Sequence, residues 1–133
     1  MKRPEDALQR SLVAQLRLRL PKPWLVWATP NGGGRSKAEA GALKAAGVLA
    51  GVPDLFVLGP SLLIAIELKA PPKRLKSGAL SKAKLRTSED QDDVIAALAV
   101  CGVPTLVVND LDEALTSLAR LGVPLRGTKG SAP

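Results

Sequence analysis

The chain has 133 residues, enough for one domain with a real core. Its 19 Lys and Arg stand against 12 Asp and Glu, and the net +7 favours a polyanionic partner such as nucleic acid while leaving the fold open. A single cysteine, Cys101, and no histidine exclude a disulfide framework, cysteine-ligated zinc and histidine-based triads, so catalysis would fall to carboxylates, lysine and hydroxyls.

Residues 5–20 predict a helix with Leu8, Leu12, Leu16 and Leu20 on its apolar side and Arg3, Arg10 and Arg17 on a basic face, ended by Pro21 and Pro23. A short strand follows at 24–28, then the loop Thr29 to Arg35, TPNGGGR. Its backbone amides could take a phosphate, but it lacks the Gly-Lys-Ser/Thr ending of a nucleotide-binding loop, which argues against ATP. Residues 36–46 predict a Ser-capped helix stopped at Gly47. A β-hairpin occupies 54–69. Residues 71–86 read as a long polar loop carrying Lys73, Arg74, Lys76, Lys82, Lys84 and Arg86 with no acid. Ser88-x-x-Gln91 is a capping box opening a helix to Ala99, with a stop at Gly102. A strand at 104–108 and a helix at 111–121 close a domain of residues 1–125, and 126–133 reads as a frayed tail. The alternation of elements is that of an α/β fold.

The chemistry concentrates in the hairpin, GVPDLFVLGPSLLIAIELK at 51–69. Three charges interrupt its apolar pattern, Asp54, Glu67 and Lys69, and charges on a mostly apolar strand are costly unless paired or metal-bound. Two carboxylates supply hard oxygen ligands for Mg²⁺, and a lysine beside them can steer a water and a phosphate. Parity sets a condition. Glu67 and Lys69 share a face, and Asp54 joins them only if paired residue numbers sum to an odd total. A four-residue loop, Gly59 to Leu62, puts Asp54 opposite Glu67; a two-residue loop, Gly59-Pro60, puts it opposite Ala65; a three-residue loop sends it to the wrong face.

Taken in order, Glu5-x3-Gln9, Asn31 with its glycines, Gly47, GVPDLFVL, IELK, Ser88-x-x-Gln91 and Gly-Val-Pro before a final strand and helix resemble a VRR-NUC domain. This is the virus-type replication-repair branch of the PD-(D/E)XK nucleases, and the likeness runs over residues 4–122. The resemblance implies a restriction-endonuclease-like core, a small mixed sheet of about four strands flanked by helices. It implies Asp54, Glu67 and the Leu68 carbonyl as ligands of Mg²⁺, with Mn²⁺ able to substitute. Lys69 would lie beside the nucleophilic water, with Glu5 and Gln91 at the edge of the site. The chain departs from the pattern in the long linker between Lys69 and Ser88, which carries no aromatic residue.

Two residues keep a second reading. Glu5 lies on the inward face with Leu8 and Leu12, yet a first-turn acid also suits the helix dipole. Gln91 has a complete role as the capping-box partner of Ser88. The six cations of 71–86, with Arg35, are candidate phosphate contacts, or else a solvated segment. With two Trp, one Phe assigned to the core and no Tyr, stacking on single strands is disfavoured, which leaves recognition of branched or nicked DNA. The expected function is a Mg²⁺-dependent, structure-selective endodeoxyribonuclease in DNA replication or repair, similar to Holliday-junction resolvases and acting as a homodimer. The alternative is a catalytically silent, nuclease-fold DNA-binding scaffold subunit of a repair or packaging assembly. With no signal peptide or membrane-spanning run, the expected location is cytoplasmic.

Overall fold

The computed structural model describes residues 3–30, 36–82 and 84–127. Their order is α1 (Asp6–Arg19), β1 (Leu25–Ala28), α2 (Lys37–Ala45), β2 (Leu55–Gly59), β3 (Leu62–Leu68), α3 (Glu89–Val100), β4 (Thr105–Val108) and α4 (Leu111–Arg120). The strands form one mixed sheet in the order β1-β2-β3-β4. The first two pairings are antiparallel and β3 runs parallel to β4, a step that needs a crossover, which α3 supplies.

Strand alternation sorts the sheet into two faces. Leu55, Val57, Ile64, Ile66, Leu68 and Val108 turn to one side and pack beneath Leu8, Leu12, Leu16 and Leu20 of the first helix and Ala114 and Leu118 of α4. The leucine stripe read from the sequence is therefore the core face of α1. On the other side the partners are Phe56 with Ala65 and Glu67 with Val107. Phe56, expected in the core, instead lies on this second face and stacks on Trp27, with ring centroids 5.6 Å apart. The cause is its neighbours: Leu55 and Val57 take the core side, and alternation sends the residue between them outward.

The hairpin register settles the parity condition. Leu55 pairs with Ile66 and Phe56 with Ala65, so the numbers sum to an odd total and Asp54 falls in line with Glu67. This is the register expected of the four-residue loop, but Gly59 pairs with Leu62 and leaves Pro60-Ser61 as the turn. Proline presets the first turn position and Ser61 accepts a φ of 60° at the second, the arrangement of a type II turn. Gly59 at the strand end has a separate reason: a Cβ there would collide with the Trp24 ring.

Two further expectations change. Residues 73–81 are not an open loop. An isolated bridge joins Arg74 to Leu80, Ser81 N–H donates to Lys73 O at 2.8 Å, and Leu75 N–H donates to Ala79 O at 2.7 Å. The turn closes through Gly78 at φ 87°, and its tip is basic at Lys76. At the other end, Leu125 is buried and Arg126 N–H donates to Arg19 O at 2.9 Å, so the first residue of the expected tail is tied to the end of α1. Residues 128–133, expected to fray, lie outside the described residues. Among the described residues no helix is long and apolar enough to cross a membrane.

Candidate active site

Asp54 stands just before β2 and is held there from two sides. Thr29 N–H donates to Asp54 O at 2.8 Å, and the Thr29 hydroxyl donates to Pro53 O at 2.7 Å. The side chain is 2% exposed, and its Oδ2 accepts the Leu68 N–H at 2.8 Å. That bond crosses to β3 and fixes the carboxylate next to Glu67, which is 5% exposed. Lys69, one residue past the strand end, is placed by its own N–H donating to Val108 O at 2.8 Å. Its Nζ lies 3.7 Å from Glu67 Oε2.

Gln91 makes the cap and also reaches the pocket. Ser88 N–H donates to Gln91 Oε1 at 2.9 Å and Gln91 N–H donates to Ser88 Oγ at 3.2 Å, completing the capping box. The same Oε1 accepts Lys69 Nζ at 2.9 Å, while Nε2 donates to Glu67 Oε2 at 3.1 Å. The cap thus positions an amide that binds the lysine and the carboxylate together. Glu5 is the residue at the α1 N-cap and makes no side-chain cap; it lines the pocket and pairs with Arg3 at 3.4 Å.

Arg3 is the residue that helical periodicity placed wrongly. Helical spacing sets it on a basic face with Arg10 and Arg17. Its Nη1 instead lies 3.5 Å from Asp54 Oδ1. The reason is local: helical geometry begins at Asp6, so Arg3 lies before the helix and no helical wheel applies to it. Its backbone N–H donates to Asp6 Oδ2 at 2.7 Å and its Nε lies 3.1 Å from Asp6 Oδ1, which folds the side chain back over the first turn. The signal available in sequence is the Arg-Pro-Glu-Asp run, a cation three residues before a first-turn acid.

These residues, with Gly51, Val52, Leu68 and Ala70, line a pocket of about 240 Å³. Its charge balance is uneven. Burial, and next the neighbouring charge of Asp54, push the Glu67 carboxyl up to about 7, against the opposing pull of Lys69 and Arg3. Burial works against the Arg3 charge, yet Asp54, Asp6 and Glu5 more than offset it and raise its pKa. The ionised form of Glu67 is thus under-solvated, and Lys69 and Arg3 offset only part of that cost. The donors present are hard oxygens, which fit Mg²⁺ rather than a softer metal. Among the described residues no cluster of three or more His, Cys, Asp or Glu side chains stands close enough to hold a metal. A cation here would therefore rest on Asp54, Glu67, the Leu68 carbonyl and water.

None of Lys73, Arg74, Lys76, Lys82, Lys84 and Arg86 lines the pocket; all six are exposed. Arg74 Nη1 donates to Gly78 O at 2.6 Å within the small hairpin. Arg35 and Asn31 lie outside the described residues. Compared with known proteins, the chain matches no family model, no curated protein and no solved structure.

Gly51 ties the pocket to α3. Its φ is 88°, and a Cβ there would collide with the backbone carbonyl of Asp90, next to Gln91. Gly51→Ala is expected to cost about 2 to 4 kcal/mol, through strain and through displacement of the α3 N-terminus. Urea unfolding checks it: a midpoint equal to that of the wild type would show that the close approach at Gly51 is dispensable.

Proposed function

We propose that the chain is a Mg²⁺-dependent, structure-selective endodeoxyribonuclease of the PD-(D/E)XK type, most similar to VRR-NUC domains. The observation that carries the reading is the hairpin register. It brings two buried carboxylates together, Asp54 just before β2 and Glu67 on β3, with Lys69 Nζ 3.7 Å from Glu67. Mg²⁺ bound there would supply Lewis-acid stabilisation of the charge developing on a phosphodiester and lower the pKa of a coordinated water. Asp54, Glu67 and the Leu68 carbonyl would hold it.

The chain's own residues do the rest. Lys69, held through Gln91 at 2.9 Å, presents an ammonium beside the carboxylates, where it orients the attacking water and meets the phosphate. Gln91 keeps Lys69 and Glu67 at a fixed separation by contacting both. The small basic hairpin and its flanks, at net positive charge, suit backbone phosphates outside the pocket. A homodimer would present two such sites to the two strands of a branched substrate, working in the cytoplasm with DNA.

Glu5 lines the same pocket but is paired with Arg3 at 3.4 Å, and among the described residues no group of three or more His, Cys, Asp or Glu is placed to hold a metal. This favours a second reading, a DNA-binding scaffold of the same fold without activity. One experiment separates the two. Labelled duplex, nicked, flap and four-way-junction DNAs are incubated with the protein, with Mg²⁺ and with EDTA. Mg²⁺-dependent cutting of a branched or nicked member supports the nuclease. Tight binding of all members with no cutting supports the scaffold.

The basic segment carries its own test. If Lys73, Arg74, Lys76, Lys82, Lys84 and Arg86 contact phosphates, neutralising any one weakens binding alike on every sequence. The log-log salt slope then falls by about 0.9 for each duplex contact removed. A slope unchanged after several substitutions returns the segment to plain solvation.

A further inference from the structure

Among the described residues, Arg3 is the one guanidinium lining the acidic pocket. Its Nη1 lies 3.5 Å from Asp54 Oδ1 and 3.4 Å from Glu5 Oε1, bridging two carboxylates of different elements. The remainder of the group is anchored away from the pocket: Nε lies 3.1 Å from Asp6 Oδ1, and Nη2 donates to Gln9 Oε1 at 3.4 Å. Asp54 Oδ2 is committed to the Leu68 N–H at 2.8 Å. A cation approaching Asp54 Oδ1 meets Arg3 Nη1 there.

We infer that Arg3 is a positioning residue, the resident counter-ion of the pocket, and that a divalent cation binds by displacing its Nη1 from Asp54 Oδ1. The inference rests on the reading of this pocket as a cation site. Two positive groups on one carboxylate oxygen repel each other strongly in a partly desolvated pocket, so occupancy by one weakens the other. The anchor on Asp6 and Gln9 lets the guanidinium withdraw without leaving the α1 N-terminus. Arg3 then has opposite effects in the two states. It stabilises the metal-free fold by neutralising Asp54 and Glu5, and it opposes metal entry.

Isothermal titration of Mn²⁺ into wild type, Arg3→Ala and Asp54→Asn tests this together with thermal melts. Arg3→Ala is expected to bind Mn²⁺ on the order of tenfold tighter than wild type, and Asp54→Asn much more weakly. Without metal, Arg3→Ala should melt below wild type, and saturating Mn²⁺ should close that gap. An arginine that only braced α1 through Asp6 would leave the gap the same with and without Mn²⁺, which overturns the proposal. If Arg3→Ala does not fold, Arg3→Gln, which can keep a hydrogen bond to Asp6 without the charge, takes its place. Equal Mn²⁺ affinity in wild type and the Arg3 variant, lost in Asp54→Asn, overturns the role of Arg3 and leaves the cation site standing. No Mn²⁺ binding to any of the proteins overturns both.

Discussion

Glu67→Gln should abolish DNA cleavage while leaving DNA binding intact. The substitution keeps the shape of the side chain and can keep the contact with Gln91 Nε2, now 3.1 Å, through its amide oxygen. What it removes is the negative charge that a cation needs. Losing a metal ligand forfeits several kcal/mol of transition-state stabilisation, which is on the order of a thousandfold in rate. Asp54→Asn should behave alike. Lys69→Ala should also stop turnover, but with Mn²⁺ binding retained or strengthened, because it removes a positive charge 3.7 Å from Glu67. Single-turnover cleavage and DNA affinity, measured on each variant, check this separation. A Glu67→Gln protein cutting at the wild-type rate removes Glu67 from the mechanism.

The second large effect is on stability. Burial and the Asp54 charge raise the folded Glu67 carboxyl from 4.5 to about 7. Between those two values the folded protein keeps a proton that the unfolded chain has released. Stability from this group is therefore fully present below the unfolded value and is lost as pH rises toward about 7. The loss is on the order of 1 kcal/mol for the metal-free protein once solvent screening of the coupled pair is allowed for. It should be missing from Glu67→Gln, whose amide does not titrate. Mg²⁺ works in the opposite direction, since it binds the ionised pair, and a hundredfold excess over its dissociation constant returns about 2.7 kcal/mol. Thermal melts of wild type and Glu67→Gln across this pH range, with Mg²⁺ and with EDTA at matched ionic strength, check both parts. Parallel pH profiles in the two proteins would place the titrating group elsewhere. Equal Mg²⁺ shifts would place the cation elsewhere.

The elements were legible because their signals are local. Leucines at helical spacing, the capping box at Ser88, Gly47 and Gly102 after helices, and the apolar runs either side of Gly59-Pro60 each constrain a few neighbouring residues. The pairing of Asp54 with Glu67 was legible to within a choice of loops, since parity fixes the face and leaves the register open. Three features were hidden, each because neither side-chain polarity nor periodicity reports the contact that decides it. Phe56 is apolar and sits in an apolar strand, but which face meets α1 is decided by packing and not by Phe56 itself. The small hairpin at 73–81 is closed mainly by backbone bonds around Gly78, and its polar side chains conceal it. Arg3 reads in the sequence as one more surface cation, whereas Asp6 folds it back toward Asp54. Gln91 shows the reverse. Its capping role was plain in the sequence, while its grip on Lys69 and Glu67 required the approach of α3 to the end of β3.

The most direct measurement is single-turnover cleavage of a labelled four-way junction and a nicked duplex by wild type and Glu67→Gln side by side, in Mg²⁺ and in EDTA. Asp54 and Glu67, acting as a cation-binding pair for phosphodiester hydrolysis, predict cleavage by the wild type in Mg²⁺ alone. They predict none in EDTA, and none by Glu67→Gln in either buffer. Cleavage by both proteins at one rate, or cleavage that persists in EDTA, would contradict them.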